Sequence, residues 1–274
     1  LKKIKGNFSF YKINITNYKK LDKIFSKLEN FKVIHLAAQA GIRYSLKNPK
    51  TYIQSNLLGF WNVLDLSKKY KSEHIVFASS SSIYGANKKI PFKENDNTDR
   101  PIQLYAATKK SNEVLAYSYS SLYNLKLTGL RFFTVYGPWG RPDMAIYKFT
   151  KSILKNKTIK VNNNGNHYRD FTYVEDVAKG IFLIVSNKKK INTKNYEIYN
   201  LGNGRPVHLK RMITILEKLL SKKAQIKYLP LQKGDMIKTY SDTSKFNKAF
   251  PMKFVPLKNG LVKFLKWFTY YYGR

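Results

Sequence analysis

The sequence predicts an α/β protein built on a doubly wound parallel sheet, and three features carry that reading. Apolar runs of strand length alternate with longer stretches of helical periodicity, the order in which a parallel sheet is wound. The runs are continuous rather than alternating, as strands covered on both faces must be. One of them, HIVFASS from His74, ends in Ser79, Ser80, Ser81 and Ser82 and closes with Tyr84-Gly85. A buried strand reads this way when its carboxyl end opens into a site. In such folds right-handed crossovers leave the ligand crevice at those strand ends.

Taken in order, a strand is expected at residues 8–15, a helix near 18–28 and an apolar strand at 33–36. A helix at 51–70 follows, because Tyr52, Ile53, Leu57, Phe60, Trp61 and Leu64 share one side. Next come a strand at 75–79, a helix that starts after Pro101 and runs over 105–123, and a strand at 126–133. From Gly137 the pattern loosens into a Pro/Gly-rich turn, a helix near 145–155, a short strand at 159–161 and an Asn/Gly loop to Arg169. A helix at 174–186, strand 196–201, helix 209–220, strand 225–229 and an aromatic tail helix at 257–272 complete the chain.

At 274 residues the chain is long enough to bury a large core. No window reaches 18 uninterrupted apolar residues, so no integral membrane segment is expected. Without cysteine there are no disulfides or thiolate metal sites, and the four His lack zinc spacing, so no metal is expected. Residue 1 is Leu and no targeting segment follows it, which makes a cytoplasmic enzyme the expected class. The formal charge of +35 points first to a nucleic-acid partner. Yet the lysines are spread along polar helix faces, and no cluster is denser than Lys188–Lys190. With so much Lys, Asn, Ile and Tyr, the charge reads as compositional drift, and no nucleic acid is expected; a basic nucleic-acid-binding module is the alternative class.

The chemistry centres on Tyr105 and Lys109, four residues apart and so on one face of the helix. An ammonium beside a phenol favours phenolate and lowers the tyrosine pKa. A hydroxyl from the serine run could bond the same reacting oxygen, giving a site that deprotonates hydroxyls. A bare Tyr-x-x-x-Lys spacing is more often a solvated helix face. The serine-rich strand end one loop upstream reverses that reading.

The segments HLAAQAGIRYS (35–45), ASSSSIYG (78–85), YAATKKSNE (105–113), GLRFFTVYGPWGRPDMA (129–145) and RDFTYVEDV (169–177) lie in this order along the whole chain. Together they resemble the extended short-chain dehydrogenase/reductase family, and within it the UDP-glucuronate 4-epimerases. The resemblance implies a Rossmann-like NAD-binding domain over 1–155 and a nucleotide-sugar lobe over 156–274, with elements returning to the main sheet. It implies NAD as cofactor, a UDP-sugar as substrate and a homodimer.

Carried over residue by residue, Ser80, Tyr105 and Lys109 are the catalytic set, with Lys109 also bonding the nicotinamide ribose. Leu36, Ala37, Ala38, Asn56 and Phe132 belong to the cofactor site. Thr134 and Arg141 match the residues that hold the sugar carboxylate, and Arg169 the arginine toward the UDP phosphates. Asp235 falls near the ribose or that arginine; Ser81, Ser82 and Arg43 face the substrate. Asp170 is expected to be structural and Lys110 solvated. Asn14 and Asn17 stand where relatives commonly carry acids, and Gln232 where some carry an arginine. The activity implied is 4-epimerisation of a UDP-hexuronate through a 4-keto intermediate. UDP-glucose 4-epimerase, a nucleotide-sugar dehydratase and a non-catalytic relative are the alternatives; the serine run lacks the adjacent Asp-Glu pair a dehydratase uses.

No G-x-G-x-x-G or G-x-x-G-x-x-G occurs among the 14 glycines, although this turn brings backbone amides to a dinucleotide pyrophosphate. In the family it lies on the first βα unit, so the sequence is expected to be N-terminally truncated by roughly 50 residues, more than one βαβ unit.

Overall fold

The computed structural model describes residues 8–187, 195–232 and 234–273; the side chains of Ile42 and Arg43 lie outside the described set. Helix α1 (Tyr18–Phe25) is capped by Asn17, whose side chain accepts from the Lys20 amide. Then follow β1 (Lys32–His35), α2 (Ile42–Lys47) and α3 (Pro49–Tyr52), which runs through a π-helical stretch (Ile53–Leu58) into α4 (Gly59–Lys69). The 51–70 helix is therefore present, with a π bulge in its middle that the periodicity does not announce. Strand β2 (His74–Ser80) is buried throughout, and α5 (Leu104–Tyr123) and β3 (Leu127–Phe132) follow it.

The second half contains β4 (Thr134–Tyr136), α6 (Ala145–Leu154), β5 (Ile159–Asn162), β6 (Tyr168–Tyr173) and α7 (Val174–Ser186). Beyond it lie β7 (Tyr196–Leu201), β8 (Pro206–His208), α8 (Leu209–Leu220), β9 (Ile226–Leu229), α9 (Ser244–Ala249) and α10 (Leu257–Tyr272). The main sheet has the order β1-β2-β3-β7, all parallel, so β7 returns from the second half to pair with β3. Two smaller sheets, β4-β6-β8 and β5-β9, stand beyond it.

Residues 8–15 are not a strand. They pair with no strand among the described residues, although β1 ends the sheet order on that side. Ile13 and Ile15 instead pack on Leu21, Phe25, Val63 and Leu66, and Asn62 donates to the Ile15 carbonyl at 2.8 Å. Strands β4, β6 and β8 and helices α2 and α9 also went unread. β4 and β8 are three residues long, too short to show a period, and β6 carries the charged pair Arg169-Asp170 right after its first residue.

Two packing centres hold the site steady. Phe60 and Leu64 of α4, Ile75 and Phe77 of β2, and Ala116 of α5 pack the main sheet against its helices. Met212, Leu216, Leu261, Phe264 and Phe268 pack α8 on α10 below the smaller sheets. Each fully buried large side chain contributes about 1.5–3 kcal/mol. Asp170 is buried and accepts from the amides of Asn203 (2.9 Å), Gly204 (3.1 Å) and Ser241 (3.0 Å), so it knits β6 to two loops as a structural carboxylate. Behind the site, Glu113 of α5 and Arg131 of β3 form a buried two-bond pair at 3.0 and 2.9 Å. Ser79 donates to the same carboxylate at 2.5 Å, and Arg131 reaches Tyr84 at 3.0 Å.

Candidate active site

The sheet register brings the carboxyl ends of β2 and β3 level, with Ser80 beside Phe132. The Ser80 hydroxyl caps a 3-10 turn (Ser81–Tyr84), accepting from the Ser82 amide at 3.2 Å. That turn carries Ser81 and Ser82 along the same rim. Helix α5 starts beside it, so Tyr105 falls in the first turn and Lys109 in the second. Ser80 hydrogen-bonds the Tyr105 phenol, and that bond favours phenolate. Ser80 and Tyr105 thus face each other on this rim, and Lys109 follows one turn further along α5.

The electrostatics differ from the sequence expectation. Burial raises the Tyr105 pKa, and what opposes burial is the Ser80 bond and the charge of Arg141. Lys109 is not the source of that lowering. It is 2% exposed and donates to the Ala78 carbonyl at 2.7 Å. Burial, with no acid beside it, lowers its own pKa to about 8. Lys110, expected to be solvated, is half-buried and holds Thr98 at 2.7 Å and Asp99 at 3.1 Å.

Leu36, Ala37 and Ala38 follow the end of β1, the first two exposed and the third half-buried. Asn56, in the π-helical stretch, is fully buried and accepts from the Gln39 amide at 2.8 Å. Its amide donates to the Gln39 carbonyl and to Thr108 Oγ1, both at 3.0 Å. With both ends of its side chain engaged, it holds the HLAAQ loop against α5. Phe132 is half-buried against the β2–α7 core.

Arg141 reaches from its own loop to the turn before α2. It lies on the loop after β4, yet its charge acts on both Tyr52 and Tyr105. A Cβ on Gly41 would come within 2.8 Å of Arg141 Nη2, so the guanidinium rests against that glycine. Gly41 has φ +106°, a conformation side chains rarely adopt. The Tyr52 hydroxyl sits at the Ala40 and Gly41 carbonyls, at 3.1 and 2.5 Å. Its ring meets Tyr105 edge-on, 6.2 Å between centroids. Arg141 is ion-paired with Asp143 on its own loop.

Thr134 opens β4 and pairs in register with Phe171 of β6, the strand that carries Arg169. Arg169 donates to the carbonyls of Tyr168 (3.0 Å) and Ile237 (3.1 Å); burial lowers its pKa and the Asp235 charge opposes that. Gln103, two residues before Tyr105, donates to the Gly234 carbonyl and ties the Asp235 loop to α5. Arg43 has its side chain outside the described residues. Sequence reasoning missed Tyr52, Gln103 and Asp143. Only Asp143 left a trace, an acid two residues after a loop arginine.

The profile of the NAD dependent epimerase/dehydratase family matches residues 1–202. Protein CapI of Staphylococcus aureus is 46% identical over 98% of this chain and 85% of its own length. UDP-glucuronate 4-epimerase 5 of Arabidopsis thaliana is 48% identical over 92% of this chain and 61% of its own. The crystal structure of UDP-glucuronic acid 4-epimerase from Bacillus cereus, in complex with UDP-glucuronic acid and NAD, superposes with a TM-score of 0.90 at 31% identity. It covers 97% of this chain and 82% of that one. With a parallel sheet of this kind, a profile match over most of its length and relatives 46% and 48% identical, the chain belongs to the NAD dependent epimerase/dehydratase family.

Proposed function

We propose that this protein epimerises UDP-glucuronate at C4 to give UDP-galacturonate. The observation that carries the reading is Arg141, whose guanidinium rests against Gly41 and whose charge is felt at Tyr105. A base at the 4-hydroxyl of a hexuronate has the sugar carboxylate one carbon further along the ring, so a guanidinium beside that base suits this substrate. The Bacillus cereus and Arabidopsis thaliana relatives carry the same substrate in their names. A neutral hexose offers Arg141 nothing to neutralise.

Tyr105, as phenolate, takes the 4-hydroxyl proton, and Ser80 bonds the same oxygen. Such general-base assistance contributes about 10²–10⁴ in rate. The residues present fit the nicotinamide-ribose end of NAD: Lys109 uses one donor on Ala78, and small Ala37 and Ala38 stand at the end of β1. When bound, NAD supplies the hydride acceptor and donor. The 4-keto hexuronate is a β-keto acid, which loses CO₂ if its carboxylate turns perpendicular to the carbonyl. Thr134 and Arg141 would hold that carboxylate, while Arg169, half-exposed beside Asp235, would meet the diphosphate as a planar donor fork. Tyr105 then returns a proton to the oxygen as the opposite face is reduced.

The test is the product formed from UDP-glucuronate and from UDP-glucose in the presence of NAD⁺, for the parent and Arg141→Ala. A charge-assisted bond of about 1.5–3 kcal/mol predicts a ten- to hundred-fold loss in kcat/KM on UDP-glucuronate only. Equal losses on both sugars would leave a UDP-glucose 4-epimerase instead. The homodimer is part of the same proposal: Val114, Tyr117 and Leu122 leave α5 exposed at helical spacing, a stripe suited to a second copy. Light scattering at micromolar concentration reads it directly, and a monomer there removes it.

A further inference from the structure

We propose that Asp143 is a positioning residue that aims Arg141, and so sets the preference for a carboxylate-bearing sugar; this rests on the hexuronate reading above. Arg141 donates through Nε to Asp143 Oδ1 at 3.0 Å and through Nη2 to Oδ2, so one edge of the guanidinium is filled by a carboxylate of its own loop. The Nη1 end is then the one that a substrate carboxylate would meet. Pro142 lies between the two residues and fixes its own φ, which limits the freedom of the short segment joining them. On the other side Nη2 rests where a Cβ on Gly41 would intrude. The arginine is therefore held between a glycine that leaves room and an acid that grips its edge. Without the acid, a long side chain that is 42% exposed would have its rotamers to lose on binding.

An exposed ion pair supports only a modest effect, so the change expected for Asp143→Ala is about two- to five-fold. Calorimetric titration of the chain with UDP-glucuronate and with UDP-glucose should show weaker binding of the first and unchanged binding of the second. Asp143→Glu, which keeps the charge on a longer arm, should recover part of the loss. Tighter binding of UDP-glucuronate by Asp143→Ala would show that Asp143 competes with the substrate, and equal weakening of both sugars that it only supports the loop. Either result overturns the proposal. Arg141→Ala in the same titration tells this failure from failure of the hexuronate reading: if it is also unselective, the substrate assignment falls, and if it is selective while Asp143→Ala is not, only the role of Asp143 does.

Discussion

The Nζ of Lys109 donates to the carbonyl of Ala78 at 2.7 Å, two residues before Ser80 on the same strand. This bond fixes the ammonium under the site, but it supplies no counter-charge, and burial lowers the Lys109 pKa from 10.5 to about 8. Between those values the unfolded chain binds more protons than the folded one, so stability rises with pH across that window. Below pH 8 the cost is constant at about 3 kcal/mol. Lys109→Met should therefore be the more stable protein at pH 7, by about 1–3 kcal/mol after loss of the Ala78 bond, and its advantage should shrink by pH 10. Urea unfolding of both proteins at the two pH values reads this. An advantage that does not change with pH would mean that Lys109 is not buried as a cation.

Ser80 and Tyr105 give a second expectation. Removing the Ser80 hydroxyl takes away the hydrogen bond that favours phenolate, while burial continues to raise the Tyr105 pKa. Activity needs the phenolate, so in Ser80→Ala the acid limb of the pH–rate profile should move to higher pH. Tyr105→Phe should lose about 10²–10⁴ in rate on the plateau of the profile and lose the acid limb itself, with the ring still packed edge-on to Tyr52. A Ser80→Ala profile of the same midpoint and lower height would assign the serine to substrate orientation alone.

Much of this site was legible because its signals are local. Tyr105 and Lys109 sit one turn apart, and Ser80 ends an apolar run, so helix periodicity and strand length place them without tertiary knowledge. Arg141 was legible only through the resemblance, since nothing in its loop says that it crosses to Tyr105 and Gly41. The Lys109 contribution was misread because charge proximity is visible in a spacing, whereas burial and the Ala78 carbonyl are not. Residues 8–15 have strand composition, but packing of Ile13 and Ile15 on α1 and α4, which no local pattern reveals, draws them away from the sheet.

The Glu113–Arg131 pair is a finding of the structure alone, since its two members lie on different elements, α5 and β3. Breaking a buried pair leaves an uncompensated charge, at about 3–5 kcal/mol. Glu113→Ala should lose that much, because Arg131 keeps only Tyr84 and the Glu94 carbonyl. The double variant Glu113→Leu, Arg131→Met should recover most of it. Chemical denaturation decides the matter, and a double variant no more stable than Glu113→Ala would show that the surrounding polar groups, rather than the lone charge, set the cost.

Trp139 anchors the other end of the Arg141 loop. It is 73% exposed and has φ +61°, a conformation that costs a non-glycine residue about 1–2 kcal/mol. What it gains is contact with α10: its ring lies 5.4 Å from Trp267 and 4.9 Å from Tyr271. Strain retained at an exposed tryptophan beside the clamp points to a role in holding the loop. Trp139→Gly removes both the strain and the rings' grip, so its stability should change little, by under about 1 kcal/mol, as the two effects offset. The loop, however, loses its tether two residues from Arg141, and binding of UDP-glucuronate should weaken about five-fold relative to UDP-glucose. Trp139→Phe keeps an aromatic contact and should lie between the two. Thermal unfolding together with calorimetric titration separates these effects. A large loss of stability with an unchanged sugar preference would make Trp139 a packing residue and leave the clamp to Gly41 and Asp143.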